Sequence, residues 1–359
     1  MNVFNLIFLG FAVLGALDYL IGNKFGLGSE FERGYKLFAA MALSMIGIII
    51  LAPALAIWIK PFFDLFYDIF KIDPSIIPAS IFANDMGGAS LALEVAKTEE
   101  VGKFNAFVVS SMLGAIISFT LPFASGIVNP SLHKKMFLGF ICGIVTVPVG
   151  CIVGGLMCGL DLLTTIIDLL PVIFISVLFT IGLIFLPKLC LKVLGVFATL
   201  LKVVIIAGLI LGIASVLTGI PLPEQFDTFD EAADICVRAA VTLSGAFPFV
   251  YILGKILNRP LRLLGKKLGI NEISAVSLLS TVVTNATTFG NMNDMDNRGI
   301  ILNSAFACSA AFTFGGHLAF TSAMSPEFIA PMIVSKLISG AAALVLALVI
   351  TSNSKKEIA

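Results

Sequence analysis

Asp85 stands in the stretch Phe82-Ala83-Asn84-Asp85-Met86-Gly87-Gly88, and the sequence on either side is apolar enough to lie in a membrane. An ionisable residue in that setting is costly and by default marks a path for a substrate or ion. A second polar interruption, Thr284-Asn285-Ala286-Thr287-Thr288-Phe289-Gly290-Asn291, lies at a matching place in the other half of the chain. Its amides and hydroxyls can both donate and accept hydrogen bonds. His317 follows Gly315-Gly316 in a further apolar run, and an imidazole changes charge near neutral pH. A carboxylate, amides, hydroxyls and an imidazole in apolar surroundings suit the holding and passing of a small polar molecule.

These residues make Asn84, Asp85, Gly87, Gly88, Asn285, Thr287, Thr288, Asn291 and His317 the candidate substrate-binding set. Each also has a plainer role. Asp85 suits the N-cap of an outgoing half-helix. Gly87 and Gly88 suit a tight turn. The asparagines and threonines suit helix–helix hydrogen bonding, and His317 suits a satisfied core position. Bond-breaking chemistry is not indicated. The chain lacks HExxH, GxSxG and GxxxxGK[ST], and its two histidines, His133 and His317, are too far apart in sequence to suggest a metal cluster. We expect no enzyme activity, no cofactor and no metal.

The elements that position these residues must be membrane helices. The chain is 58% hydrophobic and 12% charged, with mean hydropathy +1.07; soluble proteins carry about 25% charged residues. Net charge is zero and no run of like charges points to nucleic acid. The six cysteines lie in apolar segments and none forms a CxxC pair, so they read as buried thiols. No basic residue precedes Lys24, so the first apolar run is expected to remain as a span. With about 20 apolar residues per span, about nine transmembrane helices follow: Val3–Ile21, Tyr35–Ile59, Phe104–Val128, Met136–Leu160, Thr165–Leu186, Gly195–Ile220, Ala233–Ile256, Ile300–Thr321 and Phe328–Ile350. Asp18 and Lys202 fall inside apolar runs; Asp18 reads as a snorkelling or pairing residue and Lys202 as a snorkelling one.

The two polar interruptions read as re-entrant hairpins, each with its tip near the bilayer midplane. With both treated so, one side collects Lys24, Arg33, Lys36, Lys134, Lys135, Lys188, Lys192, Lys255, Arg259, Arg262, Lys266, Lys267, Arg298, Lys355 and Lys356. The other collects only Lys60, Lys71, Lys97 and Lys103. The positive-inside rule then places the N-terminus outside and the C-terminus in the cytoplasm. Phe62–Ile72 and Pro260–Gly269 read as interfacial helices leading into the hairpins, and Glu94 reads as lining an outer vestibule. The order of span, interfacial helix, hairpin, span and span occurs twice, with Asn105 or Asn303 near the start of the span after each hairpin. The expected fold is therefore an all-α polytopic membrane protein with an inverted repeat. It forms one membrane domain over 1–359, with repeat one at about 34–160, linking spans at 161–220 and repeat two at about 233–351.

Several stretches resemble the ethanolamine utilisation protein EutH family over nearly the whole chain. They are Leu51-Ala52-Pro53, Asn84-Asp85-Met86-Gly87-Gly88, Gly143-Ile144-Val145-Thr146-Val147-Pro148-Val149-Gly150-Cys151-Ile152-Val153-Gly154-Gly155, Met295-Asp296-Asn297-Arg298-Gly299 and His317-Leu318-Ala319-Phe320. The resemblance implies a permease of the bacterial inner membrane with ethanolamine as its small-molecule partner. Asp85 would then meet the ammonium group, and the tip amides and hydroxyls would meet the hydroxyl. Another small polar amine, a nucleoside, or a non-transporting scaffold of the same build are the alternatives. Few aromatic residues flank the tips in sequence, which disfavours a nucleobase. Facilitated, proton-coupled and sodium-coupled transport are all open, and a homo-oligomer is allowed without being required.

Overall fold

The computed structural model describes residues 3–353. Lys355 and Lys356, which enter the charge pattern, lie outside them. Among the described residues the chain is helical, with no strand. The helices are α1 (Val3–Leu20), α2 (Leu27–Lys36), α3 (Phe38–Phe70), α4 (Ile76–Ile81), α5 (Gly88–Val95), α6 (Glu99–Phe104), α7 (Leu121–Ile127), α8 (His133–Met157), α9 (Leu162–Asp168), α10 (Leu170–Phe185), α11 (Pro187–Thr218), α12 (Phe229–Leu268), α13 (Glu272–Thr281), α14 (Asn285–Gly290), α15 (Asn297–Ala310), α16 (Gly316–Met324) and α17 (Ile329–Asn353).

Among the described residues, seven stretches are long and apolar enough to cross a membrane, and the bent pair α9–α10 makes an eighth if it counts as one span. Wide π-helical turns at Asn105–Gly114 and Ile116–Thr120 join α6 to α7 in one of these stretches. It is the centre of the fold: 83% of its most apolar window is buried, against 17% for α1 and 22% for α11. Phe104, Phe107, Met112, Leu113 and Ile116 fill the core, while Leu9, Val13, Leu200 and Val203 on α1 and α11 face outward, as lipid-facing residues must.

Two expectations change. The span expected at Ile300–Thr321 is not one helix but two, α15 and α16, separated by Ala311–Gly315. Phe312 there has φ 60, and the backbone N–H groups of Phe312 and Phe314 bond the carbonyls of Thr281 and Val282 instead of their own helix. The stretches expected as separate interfacial helices are instead the continuing ends of α3 and α12. Pro61 and Pro260 sit inside those helices; a proline removes one bond and bends a helix without necessarily ending it. Asp18 neither snorkels nor pairs with a cation. It is buried and accepts the N–H groups of Phe25, Leu27 and Gly28 at 2.8–2.9 Å, capping the start of α2.

Local bonds recur in the two halves. The Asp73 carboxylate accepts the N–H groups of Ser75, Lys97 and Thr98, tying the start of α4 to the start of α6. The Asp296 carboxylate accepts from Asn271 N, Ser274 Oγ and Gly299 N, tying the start of α13 to the start of α15. Asn105 Nδ2 donates to Ser75 Oγ at 2.9 Å, and Asn303 Nδ2 donates to the Ser274 carbonyl at 2.9 Å.

Candidate functional site

The first interruption breaks the helix at Phe82 and Ala83, both extended, before a short 3-10 turn over Asn84–Met86. Gly87 closes the turn at φ 97, a conformation strained for any residue with a Cβ. Gly88 N then returns to the Ala83 carbonyl at 2.8 Å and starts α5. The second interruption runs through Val282 and Val283 to Thr284, whose hydroxyl accepts Ala286 N–H at 3.3 Å and starts α14. Neither arm preceding a break can cross a bilayer. At 1.5 Å per residue α4 and α13 span only about 9 and about 15 Å of a roughly 30 Å core.

The two breaks meet across the molecule. Asn84 Nδ2 donates to the His317 carbonyl and to Thr321 Oγ1, both at 3.3 Å. Asn285 Nδ2 donates to Thr120 Oγ1 at 3.3 Å. Each tip is thus held by a helix of the opposite half.

Between them lies a chamber of about 270 Å³. Ala83 and Asp85 line it from the first break, Val283 and Thr284 from the second, and Phe312, Gly315, Gly316 and His317 from the gap before α16. Asp85 supplies the single carboxylate of this lining, with its side chain 24% exposed. Its Oδ2 lies against Gly316, where an added Cβ would come within 2.9 Å of it. That places the carboxylate at the positive end of the α16 dipole. Phe119, Phe247 and Phe312 add aromatic walls, with Phe119 and Phe312 edge to face at 5.6 Å. Aromatic faces and a carboxylate together attract an ammonium group.

A second cavity of about 330 Å³ runs along α12 and α13 and shares Arg33, Phe247, Val283 and Thr284 with the chamber. It forms a vestibule, with Tyr251, Lys255 and Thr287 on its walls. Arg33 sits where the two spaces join, 3.1 Å from Glu30 and 5.0 Å from the centre of the Phe247 ring.

The structure therefore places Asp85 and His317 on the chamber and Thr287 on the vestibule. Asn84 is buried behind the chamber wall, and Gly87 and Gly88 form the turn beside it. Asn285 is buried on Thr120, and Thr288 is buried on Thr281 and the Ser277 carbonyl. Asn291 is half-buried and lines neither space. Glu94 lines a separate cavity of about 220 Å³ with Lys60 and Lys97.

Arg33, Phe119, Phe247, Thr284, Phe312 and Lys336 belong to this region and were not among the site residues read from sequence. Lys336 is the most consequential. It is 1% exposed within α17; its ammonium donates to the Ser111 carbonyl and lies 3.0 Å from His317 Nδ1. The signal was present, since it is the lone charged residue between Phe328 and Ile350, and an intramembrane lysine is a functional candidate by default.

The family described as "Ethanolamine utilisation protein, EutH" matches residues 2–350. A protein of Listeria monocytogenes named "Probable ethanolamine permease EutH" is 38% identical over 347 residues, covering 97% of this chain and 93% of its own. One of the same name from Salmonella typhimurium is 34% identical, covering 90% of this chain and 86% of its own. "Uncharacterized protein YxeR" of Bacillus subtilis is 36% identical, covering 93% and 90%. No solved structure matches the chain.

Proposed function

The chain belongs to the ethanolamine utilisation protein EutH family, and from that membership we propose that it is a permease carrying ethanolamine through the chamber between the two breaks. The observation that carries this reading is the chamber itself. Two interrupted helices from opposite halves and a broken span converge on one carboxylate in an aromatic-walled space. A water takes up about 30 Å³, so the space holds a small amino alcohol with some of its hydration. In this reading Asp85 receives the ammonium group, Phe119 and Phe312 flank it, and the Thr284 hydroxyl on the second tip meets the substrate hydroxyl. Asn84 and Asn285 hold the tips in place from behind.

We read the two interruptions as re-entrant hairpins and the two halves as an inverted repeat. The recurring pairs support this: Ser75 with Asn105 and Ser274 with Asn303, and the exchanged ties Asn84–Thr321 and Asn285–Thr120. The vestibule carries Arg33 and Lys255, which the charge pattern assigns to the cytoplasm. The conformation described is then open to the inside.

The aromatic walls bear on the alternative substrates. Rings are sparse beside the tips in sequence, yet the fold brings Phe119, Phe247 and Phe312 to the chamber. An amine with a π face is accordingly a second reading. Uptake of labelled ethanolamine into proteoliposomes, above protein-free vesicles, tests the first. Competition by excess ethanolamine but not by a nucleoside supports it. Uptake no faster than in protein-free vesicles refutes it.

A further inference from the structure

Asp85, His317 and Lys336 stand in series. Lys336 Nζ lies 3.0 Å from His317 Nδ1, and His317 Nε2 lies 3.9 Å from Asp85 Oδ1. An ammonium group can only donate, so His317 Nδ1 must accept and Nε2 must carry the hydrogen that points toward Asp85. The 3.9 Å separation closes with a small rotation of Asp85 or with one water from the chamber. Among the described residues, Asp85 is the one carboxylate that acts on Lys336. The Cys151 thiol on α8 is the remaining titratable group that faces it, the π-helical turn offers only the Ser111 carbonyl, and Arg33 at the chamber mouth is offset by Glu30. One negative and one positive charge are therefore built into the chamber and its wall, and they balance while it is empty of substrate.

Resting on the reading of the chamber as an ethanolamine site, we propose that the permease exchanges each ethanolammonium ion for one proton, with Lys336 as the proton donor and acceptor. A second cation beside Asp85 would leave an uncompensated charge in surroundings that tolerate none. Lys336 relieves it. Its N–H bond breaks as a new N–H bond forms at His317 Nδ1. The Nε2–H bond then breaks and that proton leaves through the chamber to the side from which the substrate came. On the opposite side the substrate departs, a proton enters by the same groups, and the Lys336 N–H bond re-forms. One cation moves each way, so the cycle carries no net charge.

The test is the response of accumulation to membrane potential. Wild-type protein in liposomes is given a potassium diffusion potential of about 100 mV, inside negative, at equal pH on both sides, and labelled ethanolamine is followed to its plateau. For a uniporter of the cation that potential raises the plateau about 40- to 50-fold. The exchange predicts a change of less than twofold, together with alkalinisation of the lumen beyond that in protein-free vesicles. Lys336→Met, if it transports, should become potential-driven, and His317→Gln should be slowed with Lys336 intact. A plateau in the wild type that follows the potential overturns the exchange while leaving the permease reading standing. Wild-type uptake no faster than in protein-free vesicles overturns both.

Discussion

Replacing Asp85 by Asn removes one charge while keeping the size of the side chain. The side chain keeps its shape, and its neighbour His317 Nε2 is 3.9 Å away; because the change leaves Lys336 unbalanced, a modest fall in melting temperature is expected beside the effect on recognition. Recognition should suffer far more. Truncating one partner of a buried charge pair costs about 2–5 kcal/mol. The Asp85 side chain is 24% exposed, which places the loss in the lower part of that range, about 2–3 kcal/mol. At about 1.4 kcal/mol per tenfold, KM should rise about 30- to 150-fold. The assay is initial uptake of labelled ethanolamine into proteoliposomes over a range of concentrations, with melting of the detergent-solubilised protein as the folding control. A correctly folded Asp85→Asn permease whose KM stays within threefold of wild type would remove the carboxylate from substrate recognition, and the role assigned to the chamber with it.

Gly315→Ala should be severe, because the added Cβ would sit 2.2 Å from the Val283 carbonyl, and neither backbone segment can give way. Overpacking of this kind costs about 1–3 kcal/mol or more, read as a lower melting temperature and lost uptake; a wild-type melt would show that the two breaks do not pack as described. Asn285→Ala and Thr120→Ala should each destabilise the protein, and together by less than their sum, with a coupling of about 0.5–1.5 kcal/mol. Strict additivity in chemical denaturation would mean that the tie is not made. Thr284→Cys, placed after Cys158 and Cys190 are changed to Ala, should react with a water-soluble thiol reagent and be protected by ethanolamine. Protection no greater than that of an exposed loop control such as Gln225→Cys would separate the residue from the substrate path.

The breaks themselves were legible because they violate the membrane rule locally: Asn84-Asp85 and Asn285 put polar groups where a span needs apolar ones. Most of the spans were legible for the converse reason. The Ala311–Gly315 gap was not. Ala-Phe-Thr-Phe-Gly carries no helix-breaking charge or proline, and the helix ends there because Thr281 and Val282 offer carbonyls in trans. Sequence periodicity contains no term for a partner from another segment. The same limit applies to the chamber walls. Phe119, Phe247 and Phe312 are unremarkable apolar residues in their own helices, and only the meeting of three segments makes them a site. Lys336 differs, since it violates the membrane rule as plainly as Asp85 does. What sequence could not supply was its partner, because His317 is reached across a helix gap that was read as continuous.

If the two halves repeat as proposed, the vestibule has a counterpart. Pro248 in α12 corresponds to Pro53 in α3, and counting onward Tyr251 corresponds to Ala56 and Lys255 to Lys60. Tyr251 and Lys255 line the vestibule of about 330 Å³. Pro53, Ala56 and Lys60 line the cavity of about 220 Å³ that contains Glu94. Under this pairing the two spaces correspond, yet only the first shares walls with the chamber. If the halves are related by inversion, a conformation open to the other side is obtained by letting them trade shapes, so that the Pro53 cavity deepens along α4 as the vestibule closes over Arg33 and Phe247. The ties Asn84–Thr321 and Asn285–Thr120 link each break to the opposite half, so one break cannot shift without drawing on the helix that backs the other. The clamps at Asp73 and Asp296 lie at the far ends of the arms, where they can hold while the tips move. Movement is then confined to the tips and to the Ala311–Gly315 gap, the segments that line the chamber and bring His317 to Asp85, so a change of access is also a change in the spacing of the proton path.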